Sequence, residues 1–172
     1  QKLKGNRGID GYEYSTIQGY VPAYVPPGMD APVTKSVPRR LVRYYNDKAR
    51  NHVLRVGRSD LRDGRDGYKP AGDMGYIYSK RARGTVPLYH YYHAGRPDSL
   101  YTLRYTEFGR GNDGYKYEGV LGYVYPREQR NTAPLMRYFG SWHLNTRITS
   151  DRKELEGKKG GGGYQYAGIE GW

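Results

Sequence analysis

The sequence contains no cysteine, so no disulfide bond contributes to its stability. A chain of 172 residues can bury a core without such cross-links. The lack of cysteine is compatible with oxidising and reducing compartments alike, so it weighs against a secreted protein without excluding one. No run of eighteen apolar residues occurs, and this sequence therefore contains no membrane-spanning helix.

The sequence also lacks the motifs of common catalytic sites. It has no HExxH, G-x-S-x-G, Walker or dinucleotide-binding pattern. Two of the four histidines, His90 and His93, are three residues apart in a predicted strand, so they face opposite ways and are poor joint metal ligands. The aspartates at 60–66 are interspersed with arginines, which oppose a divalent cation. We predict a protein that is not an enzyme and binds no cofactor or metal.

What the sequence has in place of these features is tyrosine, with 21 Tyr against two Phe and two Trp. Tyrosine favours strands, and its ring can be buried while its hydroxyl group reaches water or a polar partner. Disordered segments are poor in aromatic residues, whereas 15% of this chain is aromatic. The chain therefore folds, although only 36% of its residues are hydrophobic.

The second abundant feature is positive charge, because 29 Lys and Arg oppose 17 Asp and Glu and leave a net charge of +12. This charge favours an anionic partner, namely acidic polysaccharide, nucleic acid or an anionic membrane surface. A solvated basic surface that aids solubility is the plain alternative. The basic residues are scattered among acids without an RNP, KH or zinc motif, so nucleic acid ranks third, after glycans and acidic polysaccharide.

Three short phrases recur in the same order, with a spacing of 47 residues. The first phrase stands at 41–46, 88–93 and 135–140, and the second at 52–55, 99–102 and 146–149. The third begins with Gly-Tyr at 67, 114 and 163, with two extra residues before its last copy.

Each phrase is rich in β-branched or aromatic residues and bounded by turn formers, which is typical of strands. The third phrase, GYKYEGVLGYVYP at 114–126, predicts two strands separated at its glycines. A unit of about 47 residues then has four short strands. Three units, at 38–86, 87–133 and 134–172, predict an all-β, β-trefoil-like fold, because propellers usually need at least four blades.

The tyrosines of the first phrase form two rows, one on each face of the predicted strands. Tyr44, Tyr91 and Tyr138 share one face, and Tyr45, Tyr92 and Phe139 share the other. We expect one row to fill a common core, which explains why the phrase recurs.

Residues 1–37 form an N-terminal segment with a partial fourth copy of the third phrase, GYEYSTIQGYVP at 11–22. The last unit stops at Trp172, where the other two continue with a further strand. We expect GYVPAY at 19–24 to supply that strand and close the fold. The alternative is an arm that packs on a second copy of the chain, which would make a homo-oligomer.

The phrases resemble a tyrosine-rich repeat family with the pattern R-x-Y-N, then H-F-Y-T, then G-Y-x-Y-E-G-I. The resemblance rests on RYYN at 43–46, YT at 101–102 and GYKYEGVLGYVY at 114–125, and it covers about 41–172. It departs from the pattern at the second phrase, which reads HVLR, SLYT and TRIT. The resemblance implies a secreted protein with β-trefoil-like domains that bind carbohydrate.

The turns that follow the first phrase hold the candidate ligand-binding residues. Sugar sites are shallow and combine aromatic rings with a few fixed polar groups, and three related weak sites gain from multivalency. The candidates are Asn46, His52, His93, Asp98, Trp142, His143 and Asn145. We predict a lectin with up to three related sites in these loops. The alternative is a structural or extracellular-matrix protein that binds acidic polysaccharide through its basic surface.

Overall fold

The structure is a computed structural model that describes residues 26–57, 65–142 and 144–172. Within these ranges the chain forms strands, one short helix and two single 3-10 turns. The elements are β1 (Pro38–Asn46), β2 (Asn51–Val56), β3 (Tyr68–Tyr78), β4 (Val86–His93), β5 (Asp98–Thr102), α1 (Tyr105–Phe108), β6 (Gly111–Asn112), β7 (Tyr115–Val124), β8 (Met136–Gly140), β9 (Asn145–Thr149) and β10 (Tyr164–Ile169). Across the described residues, no helix is long and apolar enough to cross a membrane.

The strands fall into three groups with the same pairing, in which the first strand lies between the other two. β1 pairs antiparallel with β2 and β3, β4 with β5 and β7, and β8 with β9 and β10. We call β1–β3 the first group, β4–β7 the second and β8–β10 the third. Pairing of β3 with β7 joins the first two groups in one sheet, and the third group forms a sheet of its own. The predicted all-β class is confirmed, with two antiparallel sheets.

The Gly-Tyr phrase forms one long strand in each of the first two groups, β3 and β7, where the sequence predicts two short ones. The β1–β3 pairing shifts register between Arg40 and Val42 and again between Arg43 and Tyr44. Gly72, with φ of 150°, lies opposite Arg43 at the second shift. The irregular pairing lets the strand bend without leaving the sheet, so the predicted count of four short strands per unit differs from the structure.

One hydrophobic core is shared by all three groups. Two sets of its members recur at intervals of 47 residues, and each set has one residue from each group. The sets are Leu41, Leu88 and Leu135, and Leu54, Tyr101 and Ile148. Because each group contributes only part of this core, the groups stabilise one another.

The row of tyrosines at 44, 91 and 138 is buried, with each side chain at most 2% exposed. The hydroxyl groups of Tyr91 and Tyr138 donate hydrogen bonds to the carbonyl oxygens of Gly109 and Gly157, both at 2.9 Å. Burial therefore leaves neither hydroxyl unpaired. The prediction that one aromatic row is buried is confirmed, and the row at 45, 92 and 139 is half-buried. The buried row does not fill one common core, because Tyr44 and Tyr91 pack in separate hydrophobic clusters.

Three buried polar residues, which we call the junction residues, link the groups in a ring. They are Asn51, Asp98 and Asn145, each the first residue of the second strand of its group. Asn51 Oδ1 accepts a hydrogen bond from Ser99 N at 3.2 Å, and Asp98 Oδ1 accepts one from Thr146 N at 2.7 Å. Asn145 Nδ2 donates to the Arg50 carbonyl at 2.7 Å. Each junction residue therefore bonds to the backbone of the following group, and the third returns to the first.

The described part of the N-terminal segment lies along the connection between β3 and β4. Thr34 N donates to the Arg81 carbonyl at 2.9 Å, and Arg81 Nη1 donates to the Ala31 carbonyl at 3.0 Å. The partial phrase at 11–22 and the predicted closing strand at 19–24 lie outside the described residues, so fold closure stays a prediction.

Candidate functional site

A cavity of about 540 Å³ lies between the first and the third strand groups. The first group contributes aromatic, basic and small side chains from β1, β2, β3 and the turn between β1 and β2. The third group contributes polar and aromatic side chains from β9 and β10. The lining residues are Tyr45, Arg50, His52, Ala71, Asn145, Arg147 and Tyr164.

The aromatic wall of the cavity is a cross-strand pair. Tyr45 on β1 lies directly opposite His52 on β2, and their ring centroids are 4.5 Å apart with the planes 30° from parallel. Asn46 fixes the turn that joins these strands, since its Oδ1 accepts from Ala49 N at 2.9 Å and its Nδ2 donates to the Asp66 carbonyl at 2.7 Å. The turn ends at Arg50, which has a left-handed backbone with φ of 51°.

The opposite wall comes from the third group. Asn145 and Arg147 are two residues apart on β9, and alternation along a strand places both side chains on one face. The Tyr164 hydroxyl donates to Asn145 Oδ1 at 2.9 Å, and the Arg147 guanidinium carbon lies 5.7 Å from the centre of the Tyr164 ring. Asn145 uses one N–H and its carbonyl oxygen in bonds to the Arg50 backbone and the Tyr164 hydroxyl, so it orients Tyr164 on one side and the Arg50 backbone on the other.

A carboxylate beneath the cavity is shared by two arginines. Arg43 Nη2 lies 2.8 Å from Glu154 Oε1, and Arg147 Nη2 contacts the same oxygen. Burial alone would raise the pKa of Glu154, but the hydrogen bonds from Arg43 and Thr149, with the charges of both arginines, lower it to about 2. Glu154 is therefore ionised at neutral pH and compensates one of the two guanidinium charges.

His52 is 8% exposed, and burial together with the charges of Arg147 and Arg43 lowers its pKa to about 3. Its ring is therefore neutral at physiological pH. A neutral imidazole has one donor and one acceptor nitrogen, and His52 Nδ1 is buried with no hydrogen-bond partner in the part of the chain that the structure describes.

A second, smaller cavity of about 180 Å³ lies between the second and third groups. Its lining residues are Leu100, Glu107, Arg137, Phe139, Thr146 and Ala167. Three of these residues correspond in the repeat to residues that line the larger cavity. Phe139 and Thr146 lie 94 positions, or two repeats, after Tyr45 and His52, and Leu100 lies 47 positions, or one repeat, before Arg147. The smaller cavity is therefore related in position but lacks the imidazole and the guanidinium group on its walls.

The structure brings two of the residues predicted from the sequence together, His52 and Asn145, both on the walls of the larger cavity. Asn46 is 7% exposed and holds the adjacent turn. Trp142 is 86% exposed, and its ring lies beside Gly163, the residue before Tyr164. His143 lies outside the described residues.

The two candidates from the second group lie away from this cavity. His93 Nδ1 accepts a hydrogen bond from Arg96 N at 3.1 Å. Asp98 is fully buried, and its carboxylate accepts hydrogen bonds from Thr146 N at 2.7 Å, from Thr146 Oγ1 at 3.1 Å and from the Tyr115 hydroxyl. These contacts give Asp98 a structural role, so we do not include it in the proposed site.

Sequence reasoning missed five lining residues: Tyr45, Arg50, Ala71, Arg147 and Tyr164. One signal was present, because Tyr45 belongs to the aromatic row that is not core. A second signal was the spacing of Asn145 and Arg147, which are two residues apart on a strand. This spacing places the basic side chain of Arg147 on the same face as Asn145, a predicted site residue. The cavity forms only where the first group packs against the third, and no local sequence pattern shows that these two groups are neighbours.

Comparison with known proteins gives one family. Two overlapping matches to the same family model cover residues 6–109 and 40–172. No curated protein matches the sequence, and no solved structure does. The chain therefore belongs to the family described as Domain of unknown function (DUF5648).

Proposed function

We propose that the protein is a secreted lectin without catalytic activity, whose principal site is the cavity between the first and third strand groups. The observation that carries the proposal is the composition of its walls. The Tyr45–His52 pair and Tyr164 offer aromatic surface for the C–H face of a sugar, and Asn145 with the two arginines adds fixed polar groups. The exposed ring of Trp142 provides further aromatic surface next to Tyr164.

We further propose that the three groups form a β-trefoil with pseudo-threefold symmetry. Support comes from the identical pairing of each first strand, from the core residues that recur every 47 positions, and from the ring of junction residues. In this arrangement the two cavities occupy related interfaces, and their different walls favour one principal sugar site over three equal ones.

The second candidate function is a matrix protein that holds acidic polysaccharide through its general basic surface. The net charge of +12 favours it, because a field of this size attracts any polyanion without a defined pocket. A polysaccharide held this way contacts many scattered charges, so no single side chain dominates its binding.

A glycan array that contains neutral, carboxylated and sulfated glycans separates the two functions when it is read at about 0.15 M and 0.5 M salt. A lectin site selects a narrow set of glycans and keeps binding them at the higher salt. A general basic surface binds every polyanion and releases all of them as the charges are screened. Binding of no glycan at either salt concentration contradicts both functions.

The site is tested by a matched pair of substitutions at corresponding strand positions. Tyr45→Ala removes an aromatic ring from the larger cavity, and Phe139→Ala removes one from the smaller cavity. We expect Tyr45→Ala to abolish the binding seen on the array and Phe139→Ala to preserve it, with both variants folded by circular dichroism. Equal losses in the two variants would contradict the assignment of one principal site.

A further inference from the structure

We propose that the larger cavity selects a sugar residue that carries a single anionic group, a carboxylate or a sulfate ester, and that Arg50 and Arg147 bind this group. The inference rests on the proposed lectin function and adds the class of ligand.

The first argument is the balance of charge around the cavity. Within the described part of the chain, the guanidinium groups of Arg43 and Arg147 pair with the carboxylate of Glu154, and Arg50 has no carboxylate partner. The buried carboxylate of Asp98 is close enough to act on Tyr164, but it is engaged by Thr146 and Tyr115. Among the described residues, none that lines the cavity is acidic. An uncompensated positive charge in a partly enclosed site is stabilised by an anion, and a neutral sugar leaves it unchanged.

The second argument is that donors remain available on both arginines. Arg50 is exposed, and its side chain has no hydrogen-bond or ion-pair partner within the described ranges. Its backbone is held in place because Asn145 Nδ2 donates to its carbonyl oxygen at 2.7 Å. The Arg147 side chain is 23% exposed. Its Nη2 contacts Glu154 and its Nε is enclosed, so the donors that it can offer a ligand are those of Nη1, which makes no hydrogen bond among the described residues. Guanidinium groups recognise planar carboxylates and sulfates through paired hydrogen bonds.

The third argument is that the aromatic wall of the cavity suits a sugar that carries a single negative charge. His52 is more than nine-tenths buried on the cavity wall, with Nδ1 unpartnered in the described part of the chain. Burial, together with the charges of Arg147 and Arg43, lowers the pKa of the imidazole and keeps it neutral, so it adds no charge for a second anion. Tyr45 and His52 present adjoining rings to the cavity, and this aromatic surface suits the apolar face of a sugar.

The other groups lack this combination. Ala71 of the cavity corresponds to Glu118 in the second group, 47 residues later, and a carboxylate at that position repels an anion. In the smaller cavity the position of Arg147 is taken by Leu100, and Arg137 is paired with Glu107 at 3.1 Å. Anion selectivity is therefore a property of the cavity between the first and third groups.

The experiment measures binding of three matched oligosaccharides by isothermal titration calorimetry at about 0.15 M salt. One oligosaccharide carries a uronic acid, the second is its carboxyl-reduced neutral form, and the third is that neutral form with one sulfate ester. We expect one-to-one binding of the uronate or the sulfate probe, and binding of the neutral probe at least about tenfold weaker, since hydrogen bonds to charged groups contribute more than neutral ones.

The decisive variant is Arg50→Asn, because Asn tolerates the left-handed backbone at this turn. Its control is Arg83→Asn, which removes an equal charge from an exposed residue that does not line the cavity. We expect Arg50→Asn to weaken binding of the anionic probe about tenfold or more and to leave binding of the neutral probe unchanged. Arg83→Asn should change neither, and both variants should keep the thermal midpoint of the parent protein.

The outcomes separate the inference from the function on which it rests. Equal affinity for the anionic and the neutral probe would overturn the inference and leave the lectin intact. Equal weakening by Arg50→Asn and Arg83→Asn would overturn it in favour of binding by the general basic surface. Failure of every probe to bind at any concentration used would overturn the lectin proposal and this inference together.

Discussion

We expect the protein to lose stability in mild acid, because the buried His52 and the partly buried His90 are neutral in the folded state. Burial and the nearby charges of Arg147 and Arg43 lower the pKa of His52 to about 3, and burial with the charge of Arg55 lowers that of His90 to about 4. Both groups titrate near 6.5 in the unfolded chain. Because the folded pKa is depressed, the unfolded state takes up protons first as the pH falls, and stability is lost below about pH 6.5.

The magnitude follows from the linkage between proton binding and folding. Between pH 7 and pH 5 the unfolded form of each histidine becomes almost fully protonated, while the folded form stays largely neutral. Each group then costs about 2 kcal/mol of unfolding free energy over this interval, and the two together about 4 kcal/mol. A domain of this size has a total stability of about 5–15 kcal/mol, so the loss is large. Glu154 adds little here, because its pKa changes from 4.5 to about 2 below this interval.

The assay is urea unfolding followed by circular dichroism at pH 7 and pH 5, with the parent protein and the variants His52→Gln and His90→Gln. We expect the parent to lose about 4 kcal/mol, each single variant about 2 kcal/mol and the double variant almost nothing. Comparing the difference between the two pH values cancels any fixed cost of the substitution. A parent protein with the same stability at both pH values would refute the reasoning, as would an undiminished loss in the double variant.

Four substitutions at three positions test other features of the fold by thermal unfolding. Asp98→Ala leaves three buried donors without an acceptor and should cost about 3–5 kcal/mol, whereas Asp98→Asn, which matches the other two junction residues, should cost less than half as much. Gly122→Ala should cost about 1–3 kcal/mol, because the new Cβ would lie 2.8 Å from the Tyr78 carbonyl oxygen, a backbone atom on the paired strand that cannot rotate away; a neutral result would mean that the two strands move apart easily. Tyr101→Phe removes the oxygen that accepts from Leu54 N at 2.8 Å and should cost about 1–3 kcal/mol, while an unchanged midpoint would contradict that bond's contribution.

The core could be predicted from the sequence because its pattern is both periodic and alternating. Tyr44, Tyr91 and Tyr138 repeat at 47 residues and share a strand face, and these two properties predict that all three are buried. The strand count could not be obtained this way. Glycines in the third phrase are compatible with two separate strands or with one strand that contains a bulge. Only the pairing of the phrase with β1 or β4 decides between these two structures.

The candidate site was predicted less completely, for a physical reason. Asp98 and Asn145 have the same place at the start of a strand and nearly the same chemistry, yet Asp98 is enclosed at a junction while Asn145 also reaches a cavity wall. The surroundings of Asp98 and Asn145 differ because the neighbouring strand group places different side chains next to each of them. Tyr45 and Tyr164 are 119 positions apart, and no local pattern indicates that they line one space.

The ring of junction residues implies that a single strand group is not an independent folding unit. The amide or carboxylate of each group finds its backbone partner only in the next group, and each core set needs a residue from all three. A peptide with only one group should stay unfolded as a monomer and gain structure only where three copies associate. For the whole chain the same interdependence requires contacts of long sequence separation before any group is stable, which predicts slow, all-or-none folding.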